Sequence, residues 1–193
     1  MTREGIALSM VAEDPYGDGY VCAMYFGDKR VRVLPPAEAA AYCAELTWVI
    51  TVAEHEAAVL AQLEDMGLPL PLRAQTVRHL RADRRPTIEA ATAPIAYTPI
   101  VSHRTQKGMV NGVIRVPLTG QELPFQWDLD TARQHVMYVM EVSAGADIDG
   151  LYRQHLTGLV GLGKREATDV VTLLRNFMPS TSHKHERPPG KTP

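Results

Sequence analysis

Residues 158 to 169 read GLVGLGKREATD, and how that stretch folds decides the class of the whole chain. Gly158, four residues, then Gly163 and Lys164 fit the opening of the phosphate-cradling loop G-x-x-x-x-G-K-[ST]. Such a loop must follow a strand and open a helix, because the strand aims the chain and the helix N-terminus holds the anion. Here the preceding residues, DGLYRQHLTGL, have helical character, and Arg165 stands where the magnesium-binding hydroxyl belongs. The remaining chain offers no apolar strand ending in aspartate to complete a nucleotide site. The stretch therefore reads as a turn between two helices, with Lys164, Arg165 and Glu166 as a solvated first turn. No nucleotide is expected there.

The same helix–turn–helix order occurs earlier in the chain. From Pro35 to about Gly67, Ala39, Tyr42, Cys43, Leu46, Val49, Ile50, Ala53, Leu60 and Leu63 recur at three- and four-residue spacing, which predicts a long helix. Pro35-Pro36 suits its first turn and GLPLP at 67 to 71 stops it. A shorter helix is predicted from Leu72 to about Arg84. Strand-like runs precede the pair at Ile6 to Val11, Tyr20 to Phe26 and Val31 to Leu34, separated by turn residues. The second half repeats this order, with strand-like runs at Ile95 to Val101, Val110 to Val116 and Leu123 to Trp127. WDLDTAR then opens a helix, capped by Asp128 or Asp130. Gly145 or the region of Ala53 would kink the long helices if either breaks. A last helix spans about Lys164 to Phe177.

A shift of 93 residues aligns the halves without a gap. Ala39 falls on Ala132, Val49 on Val142, Ala53 on Ala146, Leu63 on Leu156 and Leu80 on Leu173, and residues 34 to 86 carry eight identities in all. Gly27 also falls on Gly120. The expected fold class is α+β, with an internal duplication of a small antiparallel sheet, a long helix and a short helix, packed as a pseudo-dimer. The expected organisation is a first β-β-β-α-α subdomain over 1–90, a second over 94–178 and a disordered tail over 179–193, whose Pro, Ser, Lys and His content cannot build a core.

At 45% hydrophobic and 22% charged, the 193 residues suffice for a packed core. A net charge of −2 gives no bulk attraction to nucleic acid or to an anionic membrane. No apolar run approaches membrane-spanning length, and MTREGIALSM lacks the apolar stretch of a signal peptide, so the cytoplasm is the expected compartment. Cys22 and Cys43 read as reduced, buried thiols. Fifteen arginines against five lysines fit a GC-rich genome, and a bacterial cell or mobile element is the expected setting.

Candidate site residues are few. RAQTVRHLRADRR at 73 to 85 is basic, and Arg78, Arg81, Arg84 and Arg85 are its candidates for nucleic-acid or anion contact. The preceding long helix carries Glu38, Glu45, Glu54, Glu56, Glu64 and Asp65 with no lysine or arginine, so the two helices are expected to pair with each other. Adjacent Ser102 and His103 point to opposite sides of an extended segment and make no catalytic dyad. His79, His135 and His155 stand singly, no HExxH or His-x3-His pattern falls on one helix, and SHKHE at 182 to 186 would bind a metal only adventitiously, so no metal or cofactor is expected. Trp48, Met137 and Tyr138 are the interface candidates, since they carry apolar surface beyond one core-facing stripe. These readings favour a non-catalytic regulatory protein that acts through a protein partner or homodimer. Nucleic-acid binding through 73–85 and an enzyme site in a cleft between the halves are the alternatives.

Overall fold

A computed structural model describes residues 8–15, 17, 19–82, 95–102, 105–116 and 119–177. Its class is α+β. Strands β1 (Ser9–Glu13), β2 (Val21–Phe26) and β3 (Lys29–Leu34) are followed by helices α1 (Pro36–Asp65) and α2 (Leu70–Ala82). Strands β4 (Ile95–Val101), β5 (Gly108–Arg115) and β6 (Glu122–Asp128) then lead to α3 (Leu129–Gly158) and α4 (Lys164–Phe177). The strands form two three-stranded antiparallel sheets in the orders β1-β2-β3 and β4-β5-β6. Of the predicted first strand, Ile6 to Val11, residues 6 and 7 lie outside the described residues; Ser9 to Glu13 pairs with β2, from Ser9 opposite Tyr25 to Glu13 opposite Val21.

The helix ends follow local chemistry. Pro35 precedes α1, and the Ala39 N–H donates to its carbonyl at 2.9 Å. Beyond α1, Gly67 takes φ +77° while the Leu68 N–H reaches back to the Leu63 carbonyl at 3.1 Å, a left-handed termination that favours glycine. Of the two predicted caps for α3, Asp128 serves: its Oδ1 accepts the Thr131 N–H at 2.7 Å. That hydrogen bond holds the Asp128 carboxyl below its ordinary range. Gly145 does not divide α3 into two helices; one glycine costs about 1 kcal/mol in a helix interior, too little to interrupt 30 residues.

The chain divides into two compact units, Met1–Asp147 and Ile148–Pro193, with the division falling inside α3. In the first, Cys22, Met24 and Leu34 from one sheet and Val110, Ile114, Phe125 and Trp127 from the other share a single core with α1 and the start of α3. Helix α1 packs principally against β4 and β5. Gly108 permits that approach, since a Cβ there would lie 2.6 Å from the Ala53 carbonyl oxygen. Strand β5 turns Gly108, Val110, Gly112 and Ile114 inward by alternation. Gly112 faces Phe125 across the ladder, and the Phe125 ring fills the space a Cβ would need. Leu60, Val77 and Val101 form a smaller cluster that fixes α2 against α1. In the second unit, the end of α3 and α4 are joined by a turn at residues 159–163, and Arg175 pairs with Asp149.

Candidate functional site

The opening segment of α1 and the first half of α3 flank an apolar groove of about 640 Å³. Ala40, Ala44 and Thr47 line one wall, Met140 and Asp147 the other, and Cys43 and Ser143 sit on its floor. These residues fall on the groove by helical spacing: 40, 44 and 47 on α1, and 140, 143 and 147 on α3, share one face of each helix. The Cys43 Sγ lies 3.8 Å from the Val136 carbonyl oxygen, to which its S–H donates, tying the helices together. Burial pushes the Cys43 thiol up, and burial together with Cys43 pushes Cys22 up to about 11. Both are free thiols that stay protonated near neutral pH, so Cys43 is a packing group and weak donor, not a nucleophile.

A buried cluster of rings joins α1, β4, β6 and α3. The Tyr42 hydroxyl bonds to the Tyr97 hydroxyl and, at 2.8 Å, to Nε2 of His135. Trp127 lies 4.8 Å from the His135 ring and 4.5 Å from Phe125, while the Arg32 guanidinium sits 5.0 Å above the Tyr42 ring. His135 is 5% exposed, and burial lowers its pKa to about 4. The Tyr42 hydroxyl thus bridges Tyr97 and the neutral imidazole, and since a phenol both donates and accepts, the tautomer of His135 sets the direction of the chain. Burial raises both phenols, so they remain protonated donors. Sequence reasoning left His135 as an isolated histidine. Its spacing from Ala132, Val136 and Val139 was the available signal, since all four lie on the buried face of α3.

Of the predicted basic contacts, Arg78 is the one whose side chain is described. Arg73 pairs with Glu64 of α1 at 2.9 Å, and the Arg78 Nε–H turns back to the Ala74 carbonyl of its own helix at 3.3 Å. Arg81 belongs to α2, with its side chain outside the described part, and Arg84 and Arg85 lie outside the described residues. The interface candidates face outward to different degrees: Met137 is 69% exposed and Trp48 39%, while Tyr138 is half-buried. Sequence reasoning overlooked the helix–helix turns as apolar surfaces. Met66, Leu70 and Leu72 are exposed around the first, Leu159 and Val160 around the second.

The lookalike of a phosphate loop is now placed. Helix α3 runs to Gly158 and α4 begins at Lys164, so a helix and not a strand leads into it. The Gly163 N–H, which a phosphate would claim, donates to the Glu166 carboxylate at 3.0 Å, half of a capping box. Among the described residues, no three His, Cys, Asp or Glu side chains are grouped to hold a metal, and no helix is long and apolar enough to cross a membrane.

Among the described residues, fold and site define an α+β arrangement of two three-stranded antiparallel sheets and four helices with a groove between the long helices. No protein-family model, curated protein or solved structure matches the chain.

Proposed function

We propose that this chain is a duplicated, pseudo-two-fold interaction protein that regulates by protein–protein contact. The observation that carries the contact is the exposure of large apolar side chains on helix–helix turns. Leu159 is 76% exposed and Val160 59%, and Met66, 93 residues before Leu159, is 67% exposed. Adjacent apolar residues on a turn gain nothing from solvent, and such surface is a mark of a binding site.

The duplication is supported by features that recur at the 93-residue shift. Both ends of α1, at 36 and 65, fall on both ends of α3, at 129 and 158. Ala132, His135, Val136, Val139, Ser143 and Ala146, buried on α3, fall on buried α1 positions 39, 42, 43, 46, 50 and 53. Gly27 and Gly120 take φ +61° and +66° in the two hairpin turns. Tyr42 touches its own counterpart His135, and Cys43 its counterpart Val136, as residues beside a two-fold axis do.

A photo-crosslinking residue placed at Leu159, in cells of the source organism, tests the reading. A discrete crosslinked protein at Leu159, absent when the same group replaces exposed Arg165, is the expected outcome. Equal or absent crosslinking at both positions refutes a contact through the turn.

A further inference from the structure

The groove between α1 and α3 has a wall composition unlike that of a solvated helix pair. Ala40, Ala44 and Thr47 are exposed on α1 where charged side chains ordinarily stand, and Met140 is 59% exposed on the opposite wall. Small side chains let another backbone approach closely, while methionine adapts to varied apolar surfaces. The α1 wall runs from Pro36 to Thr47, about 16 Å at 1.5 Å per residue, or three helical turns. Ser143 on the floor is 8% exposed and lines the groove with its hydroxyl-bearing side chain. A buried hydroxyl in that position suits a polar group of an incoming ligand.

Charge selects the occupant. Asp147 is the single charged residue lining the groove. The α1 segment that walls the groove carries Glu38 and Glu45 and no lysine or arginine, so a second copy presenting the same segment would bring no cation to Asp147. We infer that the groove seats an amphipathic helix of a separate protein, about three turns long, apolar along one ridge and bearing a lysine or arginine that meets Asp147. This rests on the protein–protein reading above and gives it a second surface and a partner chemistry. Helix-in-groove recognition of this kind is read by apolar anchors at i, i+3 or i+4 and i+7.

The probe is a fluorescent 14-residue amphipathic helix of leucine and lysine, measured by anisotropy against the full chain, with its leucine and glutamate counterpart as control. Ala44→Arg fills the groove from an exposed position, and Asp147→Lys reverses its charge; circular dichroism checks that each variant keeps the parent fold. The lysine peptide should bind in the micromolar range and the glutamate peptide at least about tenfold more weakly. Ala44→Arg should weaken the lysine peptide by about tenfold or more, and Asp147→Lys by several-fold. Equal affinity for both peptides, parent-like binding by Ala44→Arg, or no binding at about 100 µM overturns the inference. So does a stable dimer in sedimentation that Ala44→Arg dissociates, because a second copy then owns the groove. Crosslinking at Leu159 that persists beside a failed peptide experiment would leave the interaction reading standing and remove the groove from it.

Discussion

Acid should destabilise this protein through His135 more than through any ordinary surface histidine. The unfolded ring has a pKa near 6.5, whereas burial lowers it to about 4 in the folded chain. Between these values the unfolded state binds a proton that the folded state refuses, so stability rises with pH across the window. It is fully present above about 6.5, is lost as pH falls through the window, and levels off below about 4. A difference of about 2.5 pKa units at 1.36 kcal/mol each amounts to about 3 kcal/mol. That is a large fraction of the roughly 5–15 kcal/mol that holds a domain folded. The penalty has a visible origin. An imidazolium at this position sits among Tyr42, Tyr97 and Trp127, with the Arg32 cation over the Tyr42 ring and no carboxylate in the hydrogen-bonded chain. The assay is urea unfolding at pH 7.5 and pH 4 for the parent and His135→Gln, whose amide still accepts from Tyr42 but does not titrate. The surface carboxylates contribute alike to both proteins. The parent should therefore lose about 3 kcal/mol more than the variant between the two pH values. A difference under about 1 kcal/mol would show that the ring is solvated or paired in acid, and the burial argument would fail.

Three further outcomes follow from the same packing. Gly112→Ala places a Cβ 2.0 Å from the Phe125 ring and should cost about 1–3 kcal/mol in chemical unfolding, and Gly108→Ala should cost at least as much because the obstructing atom belongs to the α1 backbone. Unchanged urea midpoints would mean that neither close approach exists. Tyr42→Phe removes the hydroxyl between Tyr97 and His135 and should lower stability by about 1–3 kcal/mol, measured at pH 7.5 where the imidazole is neutral. Asp128→Ala removes the α3 cap at a cost of about 1 kcal/mol; because the folded carboxyl titrates below its usual range, that difference should vanish as the parent is acidified through the folded value.

The Arg73–Glu64 pair shows how a local reading can be right about chemistry and silent about placement. An acidic helix followed by a basic one was enough to expect pairing, and the short connection made it possible. The groove had no comparable signature. Ala40, Ala44 and Ser143 are unremarkable helix residues until α1 and α3 lie side by side, and Cys43 seemed only a buried thiol before its sulfur met the Val136 carbonyl. The apolar turn 159–163 was legible as a turn because its glycines are, but the exposure of Leu159 and Val160 depended on finding no core to cover them.

By itself the sequence determined the order of the ten described elements and the local chemistry that starts α1 and α3 and stops α1. Those features rest on interactions within a few residues: Pro36 in a first turn, Asp128 accepting from Thr131, Gly67 with φ +77°. Only the tertiary structure decided that α1 would lie on β4 and β5, that Tyr42 would meet Tyr97 and His135, and that α1 and α3 would leave a groove between them. That Tyr42 meets partners 55 and 93 residues away is set by no local preference, because the choice comes from how whole faces exclude water together and not from any one segment.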